Sequence, residues 1–118
     1  MTTICKTIYK ICAAAQWRQA ERDGEFRGSA ADLADGYIHF STATQAAGTA
    51  ARHFAGMPGL VLVAVEADKL DAALKWERSR SGDLFPHLYG ALPLAAVRWA
   101  KPMGLDEDGR HVLPELEA

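Results

Sequence analysis

Cysteine is scarce in this chain: among 118 residues only Cys5 and Cys12 carry a thiol. That count excludes a disulfide-dense secreted scaffold and a thiolate metal centre, and it fits a reducing compartment. Both cysteines are expected to be small buried hydrophobes on or beside one N-terminal strand. An excess of positive charge is also missing, the formal net charge being -2. No basic field therefore exists to hold DNA phosphates or an anionic membrane surface. Nothing approaches the roughly 18 apolar residues of a membrane span. Lys6 and Lys10 interrupt the apolar start before it reaches the length of a targeting segment, so the expected location is cytoplasmic. Glycine-rich phosphate loops, an H-E-x-x-H pair and a serine in a G-x-S-x-G setting are absent. The four histidines have no close ligand spacing, and no metal is predicted. A site built from His39, His87 and a carboxylate would need the fold to assemble it.

What is present is 49% apolar and 24% charged, the balance of one soluble domain over residues 1–118. "TIYKIC" (7–12) is rich in β-branched and aromatic residues and predicts a strand. "AAAQWRQAERDG" (13–24) predicts a helix, with Trp17 and Ala20 on its apolar face and Gly24 as its stop. "EFRGSAADLADG" (25–36) reads as a polar loop. "GYIHFST" (36–42) predicts an extended segment, after which Ser41 or Thr42 caps a helix over 43–56. "GLVLVAVEADKL" (59–70) is a continuous aliphatic run of strand length, hence a buried central strand. "AAVRWAKPM" (95–103) alternates as a strand does, and the acidic, turn-rich tail 104–118 has room for one short edge strand. Strands and helices in this irregular order predict an α+β fold with two main helices.

Three clusters could carry chemistry. His39, Ser41 and Thr42 stand where a strand leads into a helix, where phosphate or carboxylate binds readily; a simple cap is the leading reading for the two hydroxyls, and a packed histidine is the alternative for His39. In "KWERSRSG" (75–82), Glu77 could act as a base or hold a ribose hydroxyl, and Arg78 and Arg80 could clamp an anion. A solvated Glu–Arg pair explains these too, with Trp76 anchored in the core. In "DLFPHLYG" (83–90), Pro86 restricts Phe85 while Gly90 permits a reversal, which predicts a shaped loop. His87 and Tyr89, two apart, share a face there and offer an imidazole beside a phenol. The bland reading is a buried pair that satisfy each other.

Taken together, "DGYIHFST", "TAARHFAG", "LVLVAVEADKL" and "WERSRSGDLFPHLYGALPLAAV" closely resemble a bacterial family of small cytosolic proteins described as a domain of unknown function. The resemblance runs from about Tyr9 to Val97. It implies a fold similar to that of the ADP-ribosyltransferases, which bind NAD in a cleft of a split, mixed β-sheet. Where those enzymes place a polar His or Arg on the first core strand, this chain has Tyr9 and Lys10. Ser41 and Thr42 stand in the setting of their second motif, and Glu77 is the substitute for their glutamate. His39, Arg78, Arg80 and His87 are also reminiscent of phosphotransferase relatives that act on a phosphorylated RNA.

The expected site therefore has His39, Ser41 and Thr42 on one wall of a cleft, with His87 and Tyr89 opposite and Arg78 or Arg80 at the rim. His39, Glu77 and His87 are the catalytic candidates; Ser41, Thr42, Arg78, Arg80, Phe85 and Tyr89 are the ligand-binding ones. The ligand class is a small nucleotide, NAD or an ADP-ribose derivative, with NAD as substrate and no required cofactor. A non-catalytic module holding a small anion or a partner segment is the alternative, and a purely structural role for the clusters is the third.

Overall fold

The computed structural model describes residues 7–118; Cys5 and Lys6 lie outside the described residues. The aliphatic run forms β4 (Leu60–Glu66), and β1 (Thr7–Ala13) and β8 (Val97–Leu105) flank it. The short β9 (His111–Val112) closes the sheet, giving the order β1-β4-β8-β9. Strand alternation sorts β4 onto two faces. Val63 and Val65 enter one apolar cluster with Ile8, Cys12, Trp17 and Phe40; Leu60, Leu62 and Ala64 enter another with Tyr9, Ile11 and Met103. Both faces of β4 are covered, which is why its sequence is aliphatic without a break. Each such side chain contributes roughly 1.5–3 kcal/mol by burial.

β3 (Ile38–His39), β5 (Leu74–Arg78) and β6 (Leu84–Leu88) form a second sheet in the order β3-β6-β5. β2 (Glu25–Phe26) and β7 (Leu92–Pro93) form a two-stranded ladder. The two larger sheets meet at one isolated bridge, where Tyr9 and Ser41 exchange both backbone hydrogen bonds (2.7 and 2.8 Å). Every ladder among the described residues is antiparallel, which corrects the expected mixed sheet. The α+β class stands.

α1 (Ala14–Asp23) buries Trp17 and Ala20 and ends at Gly24, whose φ of 83° is the left-handed cap that only glycine adopts without strain. Two expectations fail nearby. The supposed polar loop holds β2 and a helix, α2 (Ala30–Asp35), nucleated by a capping box in which Ser29 and Asp32 bond each other's backbone N–H. The helix after β3 is α3 (Ala46–His53), and its N-cap is Gln45, not Ser41 or Thr42. Ser41 is held in the sheet bridge instead, and Thr42 opens the turn that precedes the helix by accepting from the Gln45 and Ala46 N–H groups.

The stretch "DLFPHLYG" is largely strand β6, not a loop. Pro86 lacks an N–H, yet its carbonyl accepts from Phe40 N (3.0 Å), so the proline fits within a paired strand. Trp76 pairs with Pro86 in register and stands 39% exposed, so it does not anchor the core.

Candidate functional site

β1 alternates Ile8, Lys10 and Cys12 onto one apolar face, so an ammonium group is forced into the interior. It survives because Asp32 of α2 meets it: Lys10 Nζ lies 2.8–2.9 Å from both carboxylate oxygens, and both side chains are almost fully buried. Burial lowers the Lys10 pKa, against the opposing pull of Asp32. Burial alone would raise the Asp32 pKa, but hydrogen bonds from His39, Lys10 and the Ser29 N–H outweigh it. The net effect holds that carboxyl well below the usual range.

His39 is tied to the same carboxylate. Its backbone N–H donates to Asp32 Oδ1 (3.1 Å), and its ring Nδ1 lies 2.5 Å from that oxygen. Nε2 lies 2.8 Å from Asp35 Oδ2. The ring thus spans the two carboxylates of α2.

Past the Tyr9–Ser41 bridge β1 and β3 diverge, and a cleft of about 590 Å³ opens over the C-terminal half of β1. One wall comes from α2 and His39, with Asp32 and Asp35; the other comes from α3, with Thr49, Arg52 and His53. Phe40, Phe54, Met57 and Phe85 supply apolar lining. Ser41 is buried at the join, its hydroxyl 2.7 Å from that of Thr49.

A second group sits beside the cleft on the β3-β6-β5 sheet. His39 and His87 are register partners, so they stand side by side on one face and not on opposite walls as expected. Their ring centroids are 5.7 Å apart. Tyr37, two residues before His39, stacks on His87 at 4.1 Å and leans against His39 at 4.6 Å. Glu77 Oε1 accepts from Tyr89 Oη (2.7 Å) and from His87 Nδ1 (2.8 Å). Those hydrogen bonds lower the Glu77 pKa, and the Glu77 bond pushes the Tyr89 phenol up to about 12.

The expected residues thus divide. His39, Ser41 and Phe85 line the cleft; Glu77, His87 and Tyr89 form the neighbouring group and do not line it. Thr42 bonds Thr44 and Gln45 away from the cleft. Arg78 donates to the Gly82 carbonyl (2.7 Å) within its own turn, and neither Arg78 nor Arg80 reaches the rim. Reading by residue type missed Asp32, Asp35, Tyr37, Thr49 and Arg52. Asp32 had a legible signal, the S-x-x-D spacing of "SAAD" that marks a capping box. Tyr37 had another, its two-residue spacing from His39.

Solved structures resemble this chain closely. The crystal structure of protein CC0527 from Caulobacter crescentus, a structural genomics target, is 50% identical with a TM-score of 0.86. That match covers 90% of this chain and 93% of the other. The solution NMR structure of CC0527 is 51% identical over 88% of this chain and 90% of that one, with a TM-score of 0.80. No curated protein matches the chain significantly. Residues 11–100 match the family model described as protein of unknown function (DUF952), and the chain belongs to that family.

Proposed function

We propose that the cleft between α2 and α3 binds a nucleotide of the NAD or ADP-ribose class. The observation that carries this reading is the cleft itself: about 590 Å³, largely apolar, with His39, Ser41 and Asp35 converging on it. That is the size and make-up of a small-ligand site. Phe85 offers a ring face for a base, and the Ser41–Thr49 hydroxyl pair offers a donor for ribose or phosphate. The kinship with ADP-ribosyltransferases that the family resemblance implies, enzymes that hold NAD at a cleft in a sheet, supports the same ligand class.

His39 is the point at which binding and chemistry would join, because it lines the cleft and touches the Tyr37–His87–Glu77–Tyr89 group. In a transfer reaction His39 would move the proton at ribose, and His87 and Glu77, which do not line the cleft, would act only through it. One observation favours a second reading, binding without turnover: Glu77 is held by His87 and Tyr89 and does not line the cleft. A titration of isotopically labelled protein with NAD, followed by NMR, tests both. Shifts concentrated at His39, Ser41 and Phe85 are expected. Release of nicotinamide would favour transfer, its absence would favour a binding module, and no shifts at these residues would refute the nucleotide reading.

A further inference from the structure

The charged groups of the two walls are held differently. On the α2 wall Asp32 and Asp35 are engaged with His39, and Lys10 is neutralised by Asp32. On the α3 wall Arg52 and His53 stand three and four residues after Thr49, so one helix face presents a hydroxyl, a guanidinium and an imidazole together. Among the described residues neither Arg52 nor His53 is held in an ion pair. The hydroxyls of Ser41 and Thr49 bond each other, and whichever one accepts keeps its own hydrogen to donate elsewhere. The arginines expected to clamp an anion, Arg78 and Arg80, do not line the cleft.

We infer that the α3 wall is the anion subsite of this cleft, Arg52 and His53 taking the diphosphate of the ligand with the Ser41–Thr49 pair as hydroxyl donor. The inference rests on the nucleotide reading and gives the ligand a direction: phosphates against α3, base and ribose towards Phe85 and His39. A guanidinium suits this role because its fork of N–H groups matches two phosphate oxygens at once. On the α2 wall the half-exposed Asp35 carboxylate disfavours the reverse orientation of the phosphates.

Isothermal titration of wild type and Arg52→Ala with adenosine, ADP-ribose and inorganic pyrophosphate tests the assignment. Arg52 is exposed, so its removal leaves the fold intact. Wild type is expected to bind ADP-ribose at least about tenfold more tightly than adenosine, with an advantage that shrinks as salt rises. In Arg52→Ala that advantage falls to within about twofold, and Arg52→Lys retains part of it. An undiminished preference for ADP-ribose in Arg52→Ala overturns the subsite while leaving the nucleotide reading in place. Pyrophosphate binding that depends on Arg52, without tighter binding of ADP-ribose, upholds the subsite and refutes the nucleotide. Binding of none of the three by wild type refutes both.

Discussion

Lys10 and Asp32 meet in the interior where β1, α2 and β3 come together, the ammonium 2.8 Å from one carboxylate oxygen and 2.9 Å from the other. This pair fixes α2 against the sheet, and through Asp32 it also fixes His39 at the edge of the cleft. The fold and the candidate site share one carboxylate.

Removing that carboxylate leaves a buried ammonium without its counter-charge and deprives α2 of its capping box. Asp32→Ala is expected to destabilise the protein by about 3–5 kcal/mol, the range for breaking one side of a buried pair. Lys10→Met is expected to cost less, because Asp32 keeps the Ser29 N–H, the His39 N–H and the His39 ring as donors. Urea denaturation midpoints of the two variants check the order; a Lys10→Met variant as damaged as Asp32→Ala would contradict it.

Asp32 also sets a pH dependence. Its folded pKa lies below the unfolded value of about 3.9, so the unfolded chain takes up protons first as the pH falls. The stability contributed by Asp32 is complete above the unfolded pKa and is lost progressively below about pH 4. Denaturation curves between pH 3 and pH 7 should show that loss in wild type and a shallower acid slope in Asp32→Asn. Equal slopes would show that another group governs the acid limb.

The Glu77–Tyr89 bond makes a spectroscopic prediction. The Tyr89 phenol is pushed up to about 12 chiefly by donating to Glu77. Glu77→Gln removes the negative charge, and Tyr89 should then ionise closer to the ordinary tyrosine value of about 10. Ultraviolet titration of tyrosinate in wild type, Glu77→Gln and Tyr89→Phe separates this transition from those of Tyr9 and Tyr37. A Tyr89 transition unmoved by Glu77→Gln would mean that the bond does not persist in solution.

The parts of the fold that were legible in sequence were those where one face is apolar. The aliphatic run of β4 and the Trp17–Ala20 face of α1 declared themselves because burial dictates composition. α2 did not: it is short, and its buried contribution is a carboxylate, so no apolar period marks it. Residue chemistry also brought out His39, Ser41 and Phe85, but which strand lies beside which is set by long-range pairing. The β3–β6 register puts His87 next to His39, and the β5–β6 register puts Glu77 opposite Phe85; Glu77 and Tyr89 do not line the cleft. Arg52 was passed over because an arginine near the end of a helix looks like a solvated charge until the wall opposite it is known.

The central claim, that the cleft at His39 holds a nucleotide, is tested most directly by thermal unfolding of wild type and His39→Gln with and without saturating ADP-ribose. Ligand at about a hundred times its Kd stabilises a folded protein by roughly 2.7 kcal/mol, which is several degrees in Tm for a domain of this size. The account predicts that rise in wild type and a much smaller one in His39→Gln. No rise in wild type, or the same rise in both proteins, would contradict it.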